Sequence, residues 1–172
     1  MFLKFIKDFG LKKIVKKSLL NYKAATSAGK IVTVGVLIDE TYFTQKEALI
    51  RELVSNGIQR SNIDTLSFKD KLKKGEVMDC CYLTRADISS AGDFTKEDVS
   101  AFINKPFDIL ISYYDVGKAP LELATLKSQA KFKAGFSTVD NRLNTFMIKT
   151  LAEKYKEFVT ELFKYLKILN KL

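Results

Sequence analysis

Short β-branched runs that alternate with amphipathic segments constrain this chain more than any other feature. Residues 31–38 (IVTVGVLI), 63–68 (IDTLSF), 107–114 (FDILISYY) and 132–137 (FKAGFS) read as strands. The first and third are apolar almost throughout, the pattern of a strand buried on both faces. Between them lie helical periods. Leu49, Ile50, Leu53 and Val54 follow a Thr44–Glu47 capping box and stop at Gly57. Thr95 and Asp98 introduce a short helix that Pro106 ends. Pro120 suits a first helical position, with Leu121, Ala124 and Leu126 continuing to about Ala130. Thr150 and Glu153 cap a long final helix through Leu151, Tyr155, Phe158, Val159, Leu162, Leu166 and Leu169. Residues 77–83 supply a possible further short strand in the otherwise charged stretch 69–92. Strand and helix in alternation predict a parallel sheet with right-handed crossovers and helices on both faces. The expectation is an α/β three-layer domain over residues 31–172, Rossmann-like or flavodoxin-like, with four to five mostly parallel strands.

Residues 1–23 stand apart as a basic helical arm. They carry seven Lys and one Asp, which leaves a net +6 of the chain's +9. Two apolar stripes run through them: Phe2, Phe5, Ile6 and Phe9, then Leu11, Ile14, Val15, Leu19 and Tyr22. On one continuous helix the stripes point in nearly opposite directions, so Gly10 is read as a break or kink. Three roles fit this arm. It can pack its stripe on the domain or on a second copy of the chain. It can lie in a membrane interface, with Phe2 and Phe5 in the lipid boundary and Lys4, Lys12, Lys13 and Lys16 toward anionic headgroups. It can contact nucleic-acid phosphates, although the lack of Arg in it argues against base readout. Lysines interrupt the apolar residues too often for a secretory signal. No run approaches about 18 apolar residues. A cytoplasmic location, peripheral to a membrane if the arm binds lipid, is the expectation.

The chemistry inventory is short. There is no histidine, which removes Ser–His–Asp and Cys–His nucleophile systems and His-based metal sites. Two cysteines, Cys80 and Cys81, are too few for a four-cysteine site, and only Arg85 lies nearby in sequence to lower a thiol pKa. No GxGxxG follows the first strand, where Asp39-Glu40-Thr41-Tyr42-Phe43 stands instead, and no GxxxxGK[ST] is present. No cofactor is implied.

What remains is positional. Ligands of open α/β sheets bind outside the carboxyl ends of the strands. Those ends offer Asp39 and Glu40, then Tyr113, Tyr114 and Asp115, then Asp140, Asn141 and Arg142. If the first strand neighbours the 107–114 strand, Asp39 and Asp115 face one crevice, where paired carboxylates with an arginine can hold Mg²⁺ or share acid and base work. Aspartate after a strand is also ordinary turn chemistry. Of Tyr113 and Tyr114, strand alternation predicts one in the core and one exposed. The functional expectation is a non-enzymatic binding or assembly module built on the arm. The alternative is a binder of a phosphate or nucleotide-sugar ligand, or an enzyme, using the strand-end crevice.

The segments MFLKFIK, KIVTVGVLIDETYF, PFDILISYYD, SQAKFKAGF, DNRLN and YLKILNKL resemble an uncharacterised bacterial family of this length. That resemblance spans nearly the whole chain and implies no activity. PFDILISYYDVGKAPLELATLKSQAKFKAGF looks like the strand–helix–strand unit in the N-terminal half of heptosyltransferase-type glycosyltransferases. It implies the α/β fold. Those enzymes bind their nucleotide sugar with a second such domain, for which 172 residues leave no room.

Overall fold

The apolar runs assemble into one sheet in a computed structural model that describes residues 2–26, 29–72, 75–78 and 80–172, with side chains from residue 8 onward. The strands are β1 (Val34–Asp39), β2 (Ile63–Phe68), β3 (Tyr82–Leu83), β4 (Ile109–Tyr113), β5 (Lys133–Phe136) and β6 (Phe146–Ile148). All neighbours pair in parallel, in the order β3-β2-β1-β4-β5-β6. This is a doubly wound α/β fold of three layers, with the order reversing between β1 and β4. The sheet has six strands rather than four or five. β6 is only three residues long, too short to show a period in sequence, and β3 shrinks to two residues at an edge.

The helices are α1 (Phe2–Leu20), α2 (Lys46–Ser55), α3 (Glu97–Asn104), α4 (Ala119–Lys127) and α5 (Tyr155–Ile168). One face of the sheet carries α2 and α5, packed through Leu49, Leu53, Phe158 and Leu162 on Val36, Ile38 and Ile111. The other carries α1, α3 and α4, packed through Leu11, Val99, Phe102 and Leu121 on Leu37, Leu66 and Leu110. Gly35 is required by this second layer, because a Cβ there would meet the Phe107 ring at 2.7 Å.

Covering on both faces corrects the reading of Tyr113 and Tyr114. Both are 1% exposed, one in each core. Alternation sends them to opposite faces, and neither face is open.

The arm is also corrected. α1 runs unbroken through Gly10, whose absent side chain would meet nothing within 4 Å. Its second stripe docks on the α3/α4 layer: Leu11, Val15 and Leu19 are buried, with Ile14 and Tyr22 packed beside them. Each buried aliphatic side chain contributes about 1.5–3 kcal/mol, enough to hold the helix down. Of the first stripe only Phe9 has a described side chain, and it is 73% exposed. The side chains of Phe2, Lys4 and Phe5 lie outside the described residues.

The capping boxes expected at Thr44, Thr95 and Thr150 do not form. α2 and α3 begin one residue later, after Gln45 and Lys96, and α5 begins after Lys154. For α5 the cause is visible. The Asp115 carboxylate takes the Ala152 N–H at 3.2 Å, and the Tyr113 hydroxyl donates to the Ala152 carbonyl at 2.6 Å. Those bonds hold the segment before α5 out of the helix.

Candidate functional site

The β1–β4 neighbourhood brings Asp39 and Asp115 to one crevice, as their positions at strand ends require. The crevice is small, about 100 Å³, and Tyr42, Thr44 and Glu153 also line it. Its base is filled by Phe43, 7% exposed, whose ring lies 4.9 Å from that of Tyr113.

Each candidate there is satisfied within the chain. Asp39 Oδ1 accepts the Thr41 N–H at 3.0 Å, the Asx-turn arrangement. Its Oδ2 lies 2.8 Å from Lys118 Nζ, which also meets Asp70 at 3.2 Å. Glu40 turns away to Lys46, 3.0 Å distant. Asp115 is bonded to Ala152 as described, and its carbonyl accepts from Thr138 Oγ1 at 2.7 Å. Tyr114 points into the α4 layer, where its hydroxyl shares a hydrogen bond with Thr125 Oγ1 at 2.7 Å. Burial pushes the Tyr114 phenol far above its ordinary value, so it stays protonated.

Asp140 and Arg142 sit on the β5–β6 connection and pair with each other, Nε and Nη2 reaching the carboxylate at 2.9 and 2.6 Å. Arg142 chiefly, outweighing a burial effect of opposite sign, holds the Asp140 carboxyl below its usual range. Neither lines the crevice. Among the described residues no group of three or more His, Cys, Asp or Glu side chains could hold a metal ion.

Two features escaped the sequence. Cys80 Sγ lies 3.3 Å from Lys46 Nζ and 3.5 Å from Ser67 Oγ. A cation from α2, not Arg85, is therefore the group beside this thiol. Burial pulls the Lys46 ammonium down, but Glu40 and Cys80 outweigh it and hold it above its usual value. Neighbouring Cys81 is pushed up to about 12 by burial and the Asp98 carboxylate. The second feature is a cleft of about 650 Å³ beneath α1. It lies on the sheet face opposite Phe43 and is lined by α1, the end of β2 and the start of α4. No sequence signal marks either, because both join residues distant in the chain.

The fold and these sites define a doubly wound α/β protein whose strand-end carboxylates are structurally engaged. Residues 7–169 match the model of DUF6913, a family of unknown function, and the chain belongs to that family. No curated protein and no solved structure matches it.

Proposed function

We propose that this chain is a non-enzymatic docking module that binds an anionic lipid surface through the outward face of α1. The carrying observation is that α1 is one unbroken helix that buries Leu11, Val15 and Leu19 and leaves Phe9, off that stripe, exposed. A break at Gly10 would let both stripes fold against the protein. On the continuous helix Phe9 lies off the buried stripe and is left 73% exposed.

Charge selects the occupant. Lys12, Lys13, Lys16 and Lys17 are all exposed, in a segment of net charge +6. An apolar ring at the headgroup boundary with lysines beside it suits an anionic membrane surface. Each lysine near such a surface contributes about 1 kcal/mol. The arm therefore supports reversible peripheral binding. Among the described residues no helix is long and apolar enough to cross a membrane. The two free cysteines fit a reducing, cytoplasmic setting.

The test is co-sedimentation of the full chain with phosphatidylcholine vesicles, with and without phosphatidylglycerol. Binding is expected only to the anionic vesicles, falling with salt and weakened roughly tenfold or more by Lys13→Glu/Lys16→Glu. Phe9→Ser is expected to weaken it further. Equal binding to neutral vesicles, or none to either, contradicts the reading. Concentration-dependent dimerisation abolished by Phe9→Ser would assign the face to a second copy instead.

The strand-end crevice is not favoured as a catalytic centre. Its carboxylates are bound to Thr41, Lys118 and Ala152, and Phe43 occupies the space a substrate would need.

A further inference from the structure

The cleft beneath α1 has the size and lining of a ligand site. Its volume, about 650 Å³, lies within the range of about 300–1,000 Å³ that small-molecule sites occupy. It opens at the carboxyl ends of the strands, where doubly wound sheets bind ligands. Phe68 is 1% exposed and forms its floor; Ala119 and Pro120 are buried beside it, and Phe9 stands at the rim.

Its polar groups are unevenly matched. Lys12, Lys71, Arg85 and Lys118 line it against two carboxylates, Asp8 and Asp70. Arg85 Nε is held by Asp8 at 3.1 Å, which also ties α1 to the body. Lys118 is held by Asp39 and Asp70. Lys12 and Lys71 are exposed and make no direct ion pair among the described residues; Lys12 feels Glu122 of α4 only at longer range. The cleft thus offers an apolar floor and a cationic edge in excess of its own acids.

We propose that this cleft binds a small organic anion, with a flat apolar body over Phe68 and Pro120 and a phosphate or carboxylate at the Lys12–Lys71 edge. Specificity for the combination follows from the lining. An apolar molecule without charge leaves the lysines in water. Inorganic phosphate finds point charges but no floor contact. This site has a lining of its own, joined to the strand-end crevice only through the Lys118–Asp39 ion pair, and it does not depend on lipid binding.

The experiment is a titration of the full chain, labelled for amide NMR, with 1-naphthyl phosphate as the probe. Inorganic phosphate and 1-naphthol serve as half-probes. Saturable binding is expected, with shifts centred on residues 8–12, 68–71 and 117–120. Each half-probe is expected to bind at least tenfold more weakly. Lys71→Glu, at an exposed position that threatens no packing, is expected to weaken the probe about tenfold, a cost of about 1.4 kcal/mol. Lys13→Glu/Lys16→Glu, which impairs vesicle binding, is expected to leave the probe's affinity unchanged, so the two readings fail separately. No saturable binding, shifts centred on residues 39–45 and 113–116, equal binding of 1-naphthol, or indifference to Lys71→Glu would each overturn the proposal.

Discussion

The β1–β4 crevice and the cleft beneath α1 lie at the same end of the sheet on opposite faces, yet they are finished in opposite ways. In the crevice, the Phe43 ring packs at a tilt against Tyr113, and the acids are bound by Thr41, Lys118 and Ala152, leaving about 100 Å³. In the cleft, Asp8, Phe9 and Lys12 of α1 stand beside the end of β2 and the start of α4 and leave about 650 Å³ with a surplus of cations. At the β1–β4 boundary the acids are taken up by bonds within the chain. The opening is made instead by the N-terminal helix. The hydrogen bonds of a strand-end carboxylate have to be counted before it is read as free to meet a ligand.

The strongest way to sharpen this contrast is to remove the plug. Phe43→Ala deletes a buried ring from the α2/α5 core and is expected to cost about 3–5 kcal/mol in denaturant unfolding. A loss below about 1 kcal/mol would mean that Phe43 is a movable gate and that the crevice opens at little cost.

The next effect concerns what anchors the helix over the cleft. Tyr22, just after α1, accepts a hydrogen bond from Lys133 Nζ at 2.8 Å, and the same ammonium donates to the Thr125 carbonyl at 2.5 Å. Burial lowers Lys133 to about 8 from 10.5. Between those values the unfolded chain holds this proton and the folded one does not, so the Lys133 contribution to stability rises with pH across that window, opposed above about pH 9 by Cys81, which the fold keeps protonated. Below about pH 8 both states are protonated and the unfavourable contribution is constant. Stability curves of the wild type and of Lys133→Met from pH 7 to 9 check this, with the substitution expected to flatten the rise. Tyr22, itself raised to about 12 by burial, stays protonated throughout.

Smaller again is the cost of freeing a crevice acid. Asp39→Asn keeps the shape but removes the charge facing Lys118, and about 1–3 kcal/mol is expected in the same unfolding assay. The smallest effect is on reactivity. Cys80, beside Lys46, is expected to react with iodoacetamide well before Cys81, and Lys46→Met to narrow the difference. Peptide mapping of the alkylated chain reads both sites. Faster labelling of Cys81 would contradict the electrostatic contrast between these two neighbours.

Most of the fold was legible because burial on both faces writes itself into continuous runs such as Val34–Asp39 and Ile109–Tyr113. The stop of α2 was legible too, since Gly57 has a φ of 104° that other residues resist. What stayed hidden depends on partners far along the chain. The start of α5 is decided by Asp115 and Tyr113, some 37 residues earlier. Lys118 closes on Asp39 across the β1–β4 boundary, and no pattern within either segment announces that pair. The continuity of α1 was misread for a different reason. Glycine costs a helix only about 1 kcal/mol, and Gly10 sits in open space where nothing forces the chain to turn.

The measurement that bears most directly on the account is amide hydrogen–deuterium exchange of the full chain, free and with phosphatidylglycerol vesicles. The account predicts added protection over α1, residues 2–20, with the β1–β4 loops at residues 39–45 and 113–116 unchanged. Unaltered exchange in α1, or protection centred on those loops, would contradict it.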